Sequence, residues 1–147
     1  MNDDVTITAN KALLSRHFHE VLNEGALEVI DEIYTGTYVL DAPIQTEGSV
    51  QSHGETHGRE GLKRRVVLFR TGFPDIKFHV DDIIGEGDRV AVQYTFRGTH
   101  TGKFGELEAT GCAISVTGML IARVVDGKIG SAVSVFDSGD MIKQLRA

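Results

Sequence analysis

Between Gly87 and Phe104 the chain reads GDRVAVQYTFRGTHTGKF. Val90, Val92, Tyr94 and Phe96 fall on one side, while Arg89, Gln93, Thr95 and Arg97 fall on the other. That period of two predicts a strand with one face buried. Upstream the period lengthens to that of a helix. Leu13, Leu14, Phe18, Val21 and Leu22 share one stripe over Asn10–Asn23, with Asn10 or Thr8 as the cap and residues 1–9 as a polar lead. Glu24-Gly25 stops this helix. A second one runs from Ala26 to Tyr34 through Leu27, Ile30 and Ile33, ahead of Gly36, so the two form a helical hairpin.

Thr37–Leu40 predicts a short strand ended by Pro43. Residues 44–58 (IQTEGSVQSHGETHG) are too polar and glycine-rich for a packed element and read as a flexible flap. Helical spacing returns over Arg59–Thr71 through Leu62, Val66 and Phe69, and Gly72 and Pro74 close it. Strands are then predicted over Lys77–Glu86, Arg89–His100, Leu107–Val124 and Lys128–Asp137. Gly85–Asp88 turns the first pair and Asp126-Gly127 the last, with a final helical turn over Met141–Leu145. Helices followed by hairpin-linked strands argue an α+β domain with its helices on one face of an antiparallel sheet.

Composition narrows the function more than the fold. The 147 residues suit one domain, 1–147, and no apolar run approaches the roughly 20 residues that cross a bilayer. The opening MNDDVTITAN has neither a basic nor an apolar leader segment, so the expected location is cytoplasmic and no membrane partner is expected. Fifteen basic against 21 acidic side chains leave a net charge of −6 without a Lys/Arg-rich run, which argues against a nucleic-acid partner. Cys112 is the single cysteine and reads as a structural thiol. His17 and His19 flank Phe18 and diverge, and the glycines around His53 and His57 break the helical spacing a metal pair needs, so no metal is expected. With no dinucleotide or phosphate-binding glycine motif and no nucleophile elbow, the expected chemistry is cofactor-free.

HFHEVLNEGALEVIDEIY, GREGLKRRV with FPDIKF after it, GDRVAVQYTFRGTHTGKF and ATGCAISVTGMLIARVVDGKIGSAVSVFD together resemble the SnoaL-like polyketide cyclases, a branch of the nuclear transport factor 2-like superfamily. The resemblance runs from Asn10 to Leu145. It implies a cone: a curved antiparallel sheet wrapped around the N-terminal helices, with an internal pocket for a hydrophobic small molecule and a homodimer through the outer sheet face. The implied function is cyclisation or isomerisation of a polyketide-like or polycyclic substrate by acid/base proton transfer. A non-catalytic small-molecule-binding module on the same fold is the alternative, and an epoxide hydrolase a weaker one, because Arg97 alternates away from the apolar face.

Within that resemblance, Ser134 occupies the position of the family's acid/base carboxylate. The ketosteroid isomerase positions read Phe18, Ala42 and Leu120, which removes that enzyme's proton chemistry. Asp41, at the expected pocket mouth, is the first choice for a base, against an Asx turn before Ala42-Pro43. Asp137 is a second carboxylate that alternation turns away from Ser134 and that can instead cap the following turn. Tyr94 and His100 are expected to orient or protonate a substrate oxygen, with loop ordering the plainer role for His100. Phe18, Leu40, Phe69, Val92, Phe96, Leu120, Ala132, Ser134 and Phe136 are expected to line the pocket, with Glu60 at its mouth or simply at a helix N-terminus.

Overall fold

In the computed structural model, which describes residues 3–41 and 55–147, the N-terminal stripe forms a helix that starts earlier than its polar lead suggests. Helix α1 spans Asp3–Arg16 and continues as a π-helical segment over His17–Asn23. Asn10, expected as a cap, is instead a buried residue inside the helix. The early turns gain a tertiary contact that local sequence does not show: Ile7 lies so close over Gly85 that a Cβ there would come within 2.9 Å of it. Leu14, Phe18 and Val21 bury the stripe as read.

The segment ends where Asn23 acts as a surrogate strand. Its side-chain amide donates to the Phe78 carbonyl (2.9 Å) and its oxygen accepts from the Phe78 N–H (2.6 Å), while Arg70 donates to the carbonyls of Leu22 and Asn23. Helix α2 (Leu27–Ile33) then leads directly into β1 (Tyr34–Asp41), a longer strand than expected.

The flap reading is corrected at its C-terminal end. Glu55–His57 is a strand, β2, paired antiparallel to β1 (Val39 with His57, Asp41 with Glu55), and α3 (Gly58–Gly72) begins at Gly58. Residues 42–54, with Ala42, Pro43, His53 and most of the expected flap, lie outside the described residues. The remaining strands are β3 (Lys77–Glu86), β4 (Arg89–Thr99), β5 (Ala113–Val125) and β6 (Lys128–Phe136), followed by α4 (Ser138–Leu145). Leu107–Cys112 is loop rather than the start of β5. A bridge between Phe104 and Leu107 turns the chain, and the backbone N–H of Gly111 donates to the His100 carbonyl (2.8 Å).

The sheet order is β2-β1-β6-β5-β4-β3. All pairs are antiparallel except β1 with β6, which is parallel and is joined by a long crossover through β2, α3 and β3–β5. The Asp126-Gly127 hairpin forms as read, with positive φ at both residues (50° and 76°). Burial alternates strictly along β5, and Val90, Val92, Tyr94 and Phe96 of β4 are buried. The curved sheet presents this inner face to the helices, an α+β cone with its core between the two layers.

Candidate functional site

Three helical or strand faces converge on a cavity at the centre of this core. The stripe of α1 and its π-helical extension supplies His17, Phe18 and Leu22. Helix α3 supplies Leu62, Arg65, Val66 and Phe69 from residues three or four apart. The inner sheet face closes it with Tyr38 and Leu40, Phe78, Tyr94 and Phe96, and Leu120, Ser134 and Phe136. Its volume is about 60 Å³, room for a few waters at roughly 10–15 Å³ each.

The walls are mainly aromatic. Phe18 and Tyr94 rings lie 5.4 Å apart, Phe96 and Phe136 meet edge-to-face at 5.5 Å, and Phe78 packs on Phe96 at 5.0 Å. Against this apolar background two hydrogen-bonded pairs stand out. The Tyr34 hydroxyl is bonded to His17 Nδ1, and Tyr94 Oη is 2.8 Å from Ser134 Oγ. Tyr94 reaches Ser134 by crossing over Gly118, its register partner on β5. A Cβ at Gly118 would come within 2.6 Å of that hydroxyl, so the missing side chain creates the path.

Burial decides the charge states. His17 is pushed down to about 3 by desolvation, with the Arg65 charge adding in the same direction, so it is neutral at physiological pH. Burial raises the phenols of Tyr34, Tyr38 and Tyr94 above their ordinary range, partly offset at Tyr94 by the Ser134 hydrogen bond and the Arg65 charge. Desolvation lowers Arg65 from its usual range, yet it stays a cation, its guanidinium carbon 5.4 Å from the centre of the Phe69 ring.

Of the residues singled out from sequence, Phe18, Leu40, Phe69, Tyr94, Phe96, Leu120, Ser134 and Phe136 line this cavity. Val92 and Ala132 are core residues beside it. Asp41 is not brought in: alternation along β1 sends Tyr38 and Leu40 inward and Val39 and Asp41 outward, where Asp41 is exposed on the far side of the sheet. Asp137 is exposed and caps α4, accepting from the Asp140 N–H at 2.9 Å. Glu60 is exposed and paired with Lys63 at 3.1 Å.

His100 is fully buried outside the cavity, stacked on Phe73 at 5.1 Å. Thr110 donates its N–H to His100 Nδ1 (3.2 Å), which places the neutral ring's proton on Nε2, buried there with no hydrogen-bond partner among the described residues. This histidine ties two loop segments together. Of the cavity residues that the sequence did not place there, which include the apolar Leu22, Leu62, Val66 and Phe78, the polar ones are His17, Tyr38 and Arg65. Each nevertheless sits at the correct spacing on an apolar face: His17 with Leu14, Phe18 and Val21, Arg65 with Leu62 and Phe69, and Tyr38 two before Leu40.

The model of the SnoaL-like polyketide cyclase family matches residues 12–145. A crystal structure of a proposed SnoaL-like polyketide cyclase from a Jannaschia species superposes with a TM-score of 0.83 at 21% identity, covering 96% of this chain and 94% of that one. IdmH of Streptomyces antibioticus, a proposed polyketide cyclase, gives 0.78 at 28% identity over 94% and 99% of the two chains. A proposed polyketide cyclase from Acidithiobacillus ferrooxidans gives 0.76 at 24% over 94% of each. No protein of curated function matches the chain. No helix among the described residues is long and apolar enough to cross a membrane.

Proposed function

The chain belongs to the SnoaL-like polyketide cyclase family, and from that premise we propose that its cavity catalyses cyclisation or isomerisation of a hydrophobic, polyketide-like or polycyclic ketone without a cofactor. Family and neighbours support a function of the cyclase or isomerase kind on a small molecule. The observation that carries the finer reading is the buried Tyr94–Ser134 pair set in an aromatic cavity beside neutral His17.

Aldol closure and isomerisation share one step: a carbon beside a carbonyl loses a proton and negative charge gathers on the carbonyl oxygen. Tyr94, held protonated by burial, is suited to donate to that oxygen while the Ser134 hydroxyl donates to Tyr94 and fixes its direction. His17 is a poor base near pH 7, because its conjugate acid sits about four units too low. It serves instead as a neutral hydrogen-bonding group, oriented through Nδ1 by Tyr34. With no carboxylate in the described lining, the proton passes to a water molecule or hydroxide admitted with the substrate, an acceptor strong enough where two carbonyls flank one carbon and make its proton acidic. A ligand of several rings is larger than the cavity and displaces wall side chains on entry.

Exchange of the C1 protons of 2-tetralone in deuterated buffer, followed by NMR, tests this step without knowledge of the natural substrate. The protein is expected to accelerate exchange over buffer, and Tyr94→Phe to reduce the acceleration about tenfold through loss of one hydrogen bond to developing charge. Acceleration that is absent in the wild type, or unchanged in Tyr94→Phe, refutes the reading. The second reading, a binding module on the same fold, is favoured by one observation: no Asp or Glu is among the described lining residues.

We propose further that two copies pair through the outer sheet face. Met119 and Ile121 of β5 lie directly beside Val135 and Val133 of β6, all four roughly half exposed, which makes a contiguous apolar patch in the middle of the sheet. Sedimentation velocity is expected to report a dimer for the wild type and a monomer for Ile121→Lys/Val133→Lys. A monomeric wild type excludes it.

A further inference from the structure

We infer that the cavity takes its ligand as a delocalised oxyanion, an ionised phenol or enol on a conjugated ring, with the charged oxygen seated among Arg65, Tyr38 and Tyr94. The inference concerns the ligand class of the same cavity and rests on the reading of that cavity as the functional site.

The starting point is the place of Arg65 on α3. Its spacing from Leu62 and Phe69 turns it toward the cavity, so the side chain is partly buried and its guanidinium carbon lies 5.4 Å from the centre of the Phe69 ring on the cavity wall. Among the described lining residues it carries the charge, and the other polar groups, Tyr38, Tyr94, Ser134 and His17, are neutral. A charge in such a low-dielectric setting acts over several ångströms with far more force than at the surface. Its neighbours register the field. Arg65 opposes protonation of His17 and favours ionisation of the Tyr38 and Tyr94 phenols, against the burial that otherwise holds both protonated.

A ligand oxygen placed there experiences what those phenol oxygens do, without their covalent tether. It also meets the Tyr38 and Tyr94 hydroxyls of the lining, which can donate to it. The walls choose among anions. A compact carboxylate loses a large hydration energy on entering an aromatic cavity with few donors, whereas a phenolate or enolate spreads its charge over a ring and loses less. That ring finds Phe18, Phe69, Phe96 and Phe136 to pack against.

4-Nitrophenol probes this directly, because its ionised and neutral forms absorb at different wavelengths and its ring is small. Spectroscopic titration of the bound dye is expected to give a pKa at least about one unit below its value in water, a tenfold preference for the anion. Arg65→Met is expected to abolish the shift, and Arg65→Lys, which keeps the charge, to retain most of it. Circular dichroism of each variant reports folding, and the lysine variant keeps the test open if the methionine variant does not fold. A bound dye titrating at or above its solution value, a shift that persists in folded Arg65→Met, or no binding of either form at millimolar dye overturns the proposal. No turnover enters this readout. A lowered pKa without exchange of 2-tetralone protons leaves the ligand class standing and the acid/base reading refuted.

Discussion

Acidification from about pH 7 to about pH 4.5 is expected to remove about 3 kcal/mol of folding stability through one side chain, His17. In the folded chain this imidazole is buried and its pKa lies at about 3, against the ordinary 6.5 that it recovers on unfolding. Between those two values the unfolded chain binds the extra proton, so stability rises with pH across the window and is lost as pH falls through it. The loss begins near the unfolded value and is complete only near the folded one. Burial lowers His100 as well, which adds in the same direction. Hydrogen bonds to Thr99, Thr95 and Arg16 depress the carboxyls of Asp75, Asp81 and Glu20, whose contributions are present above their unfolded values and fade at still lower pH. The upper part of the window therefore isolates the histidines.

Urea denaturation at the two pH values measures the effect. His17→Gln, whose side-chain oxygen can accept from the Tyr34 hydroxyl and cannot titrate, is expected to flatten most of the difference. Equal wild-type stability at both pH values means that His17 is not held neutral in the core. The loss is a large share of the roughly 5–15 kcal/mol that holds a typical domain together. A polar cavity of this kind thus limits the pH range in which the protein stays folded.

The same residue marks where sequence reading stops. Alternation in β4 and helical spacing in α3 and in α1 with its π-helical continuation identified apolar wall residues, because burial of an apolar face is what those periods encode. His17 and Arg65 lie on those faces too, but a polar residue on an apolar stripe has the same spacing whether it points into a cavity or snorkels to solvent. Only the depth of the surrounding layers distinguishes the two. Asp41 shows a second limit. In a strand one position decides the side, and the register of β1, set by a parallel pairing with a strand nearly a hundred residues away, is invisible locally. The carboxylate next to inward-facing Leu40 consequently faces out. Leu107–Cys112 shows a third: its composition suits a strand, but Thr110 and Gly111 are held by His100, and that tertiary bond overrides propensity.

The turn Gly98-Thr99-His100-Thr101-Gly102 supports the second large prediction: Gly102→Ala should destabilise the protein by about 3 kcal/mol or more. Thr99, His100 and Gly102 of the turn are each engaged with the end of α3 or the loop beside it. Thr99 donates its N–H and hydroxyl to the Asp75 carboxylate at 2.7 and 2.8 Å, and His100 stacks on Phe73 while its N–H donates to the Cys112 carbonyl. Gly102 donates its N–H to the Gly72 carbonyl at 3.1 Å and lies against the Thr71 carbonyl oxygen so closely that a Cβ would overlap it. That obstacle is backbone, in the last turn of the helix, and it moves only if the turn unwinds. Unwinding would loosen Phe69 and Phe73, and Phe69 is a cavity wall. In a chain of this length the expected fall in melting temperature is about 10 °C. Gly36→Ala is the control, since a Cβ there meets nothing within 4 Å and leaves Tm nearly unchanged. If Gly102→Ala melts within a degree or two of wild type, the turn is not pressed against α3, and the docking of β4's end would then be a poor account of why the turn is built from glycine.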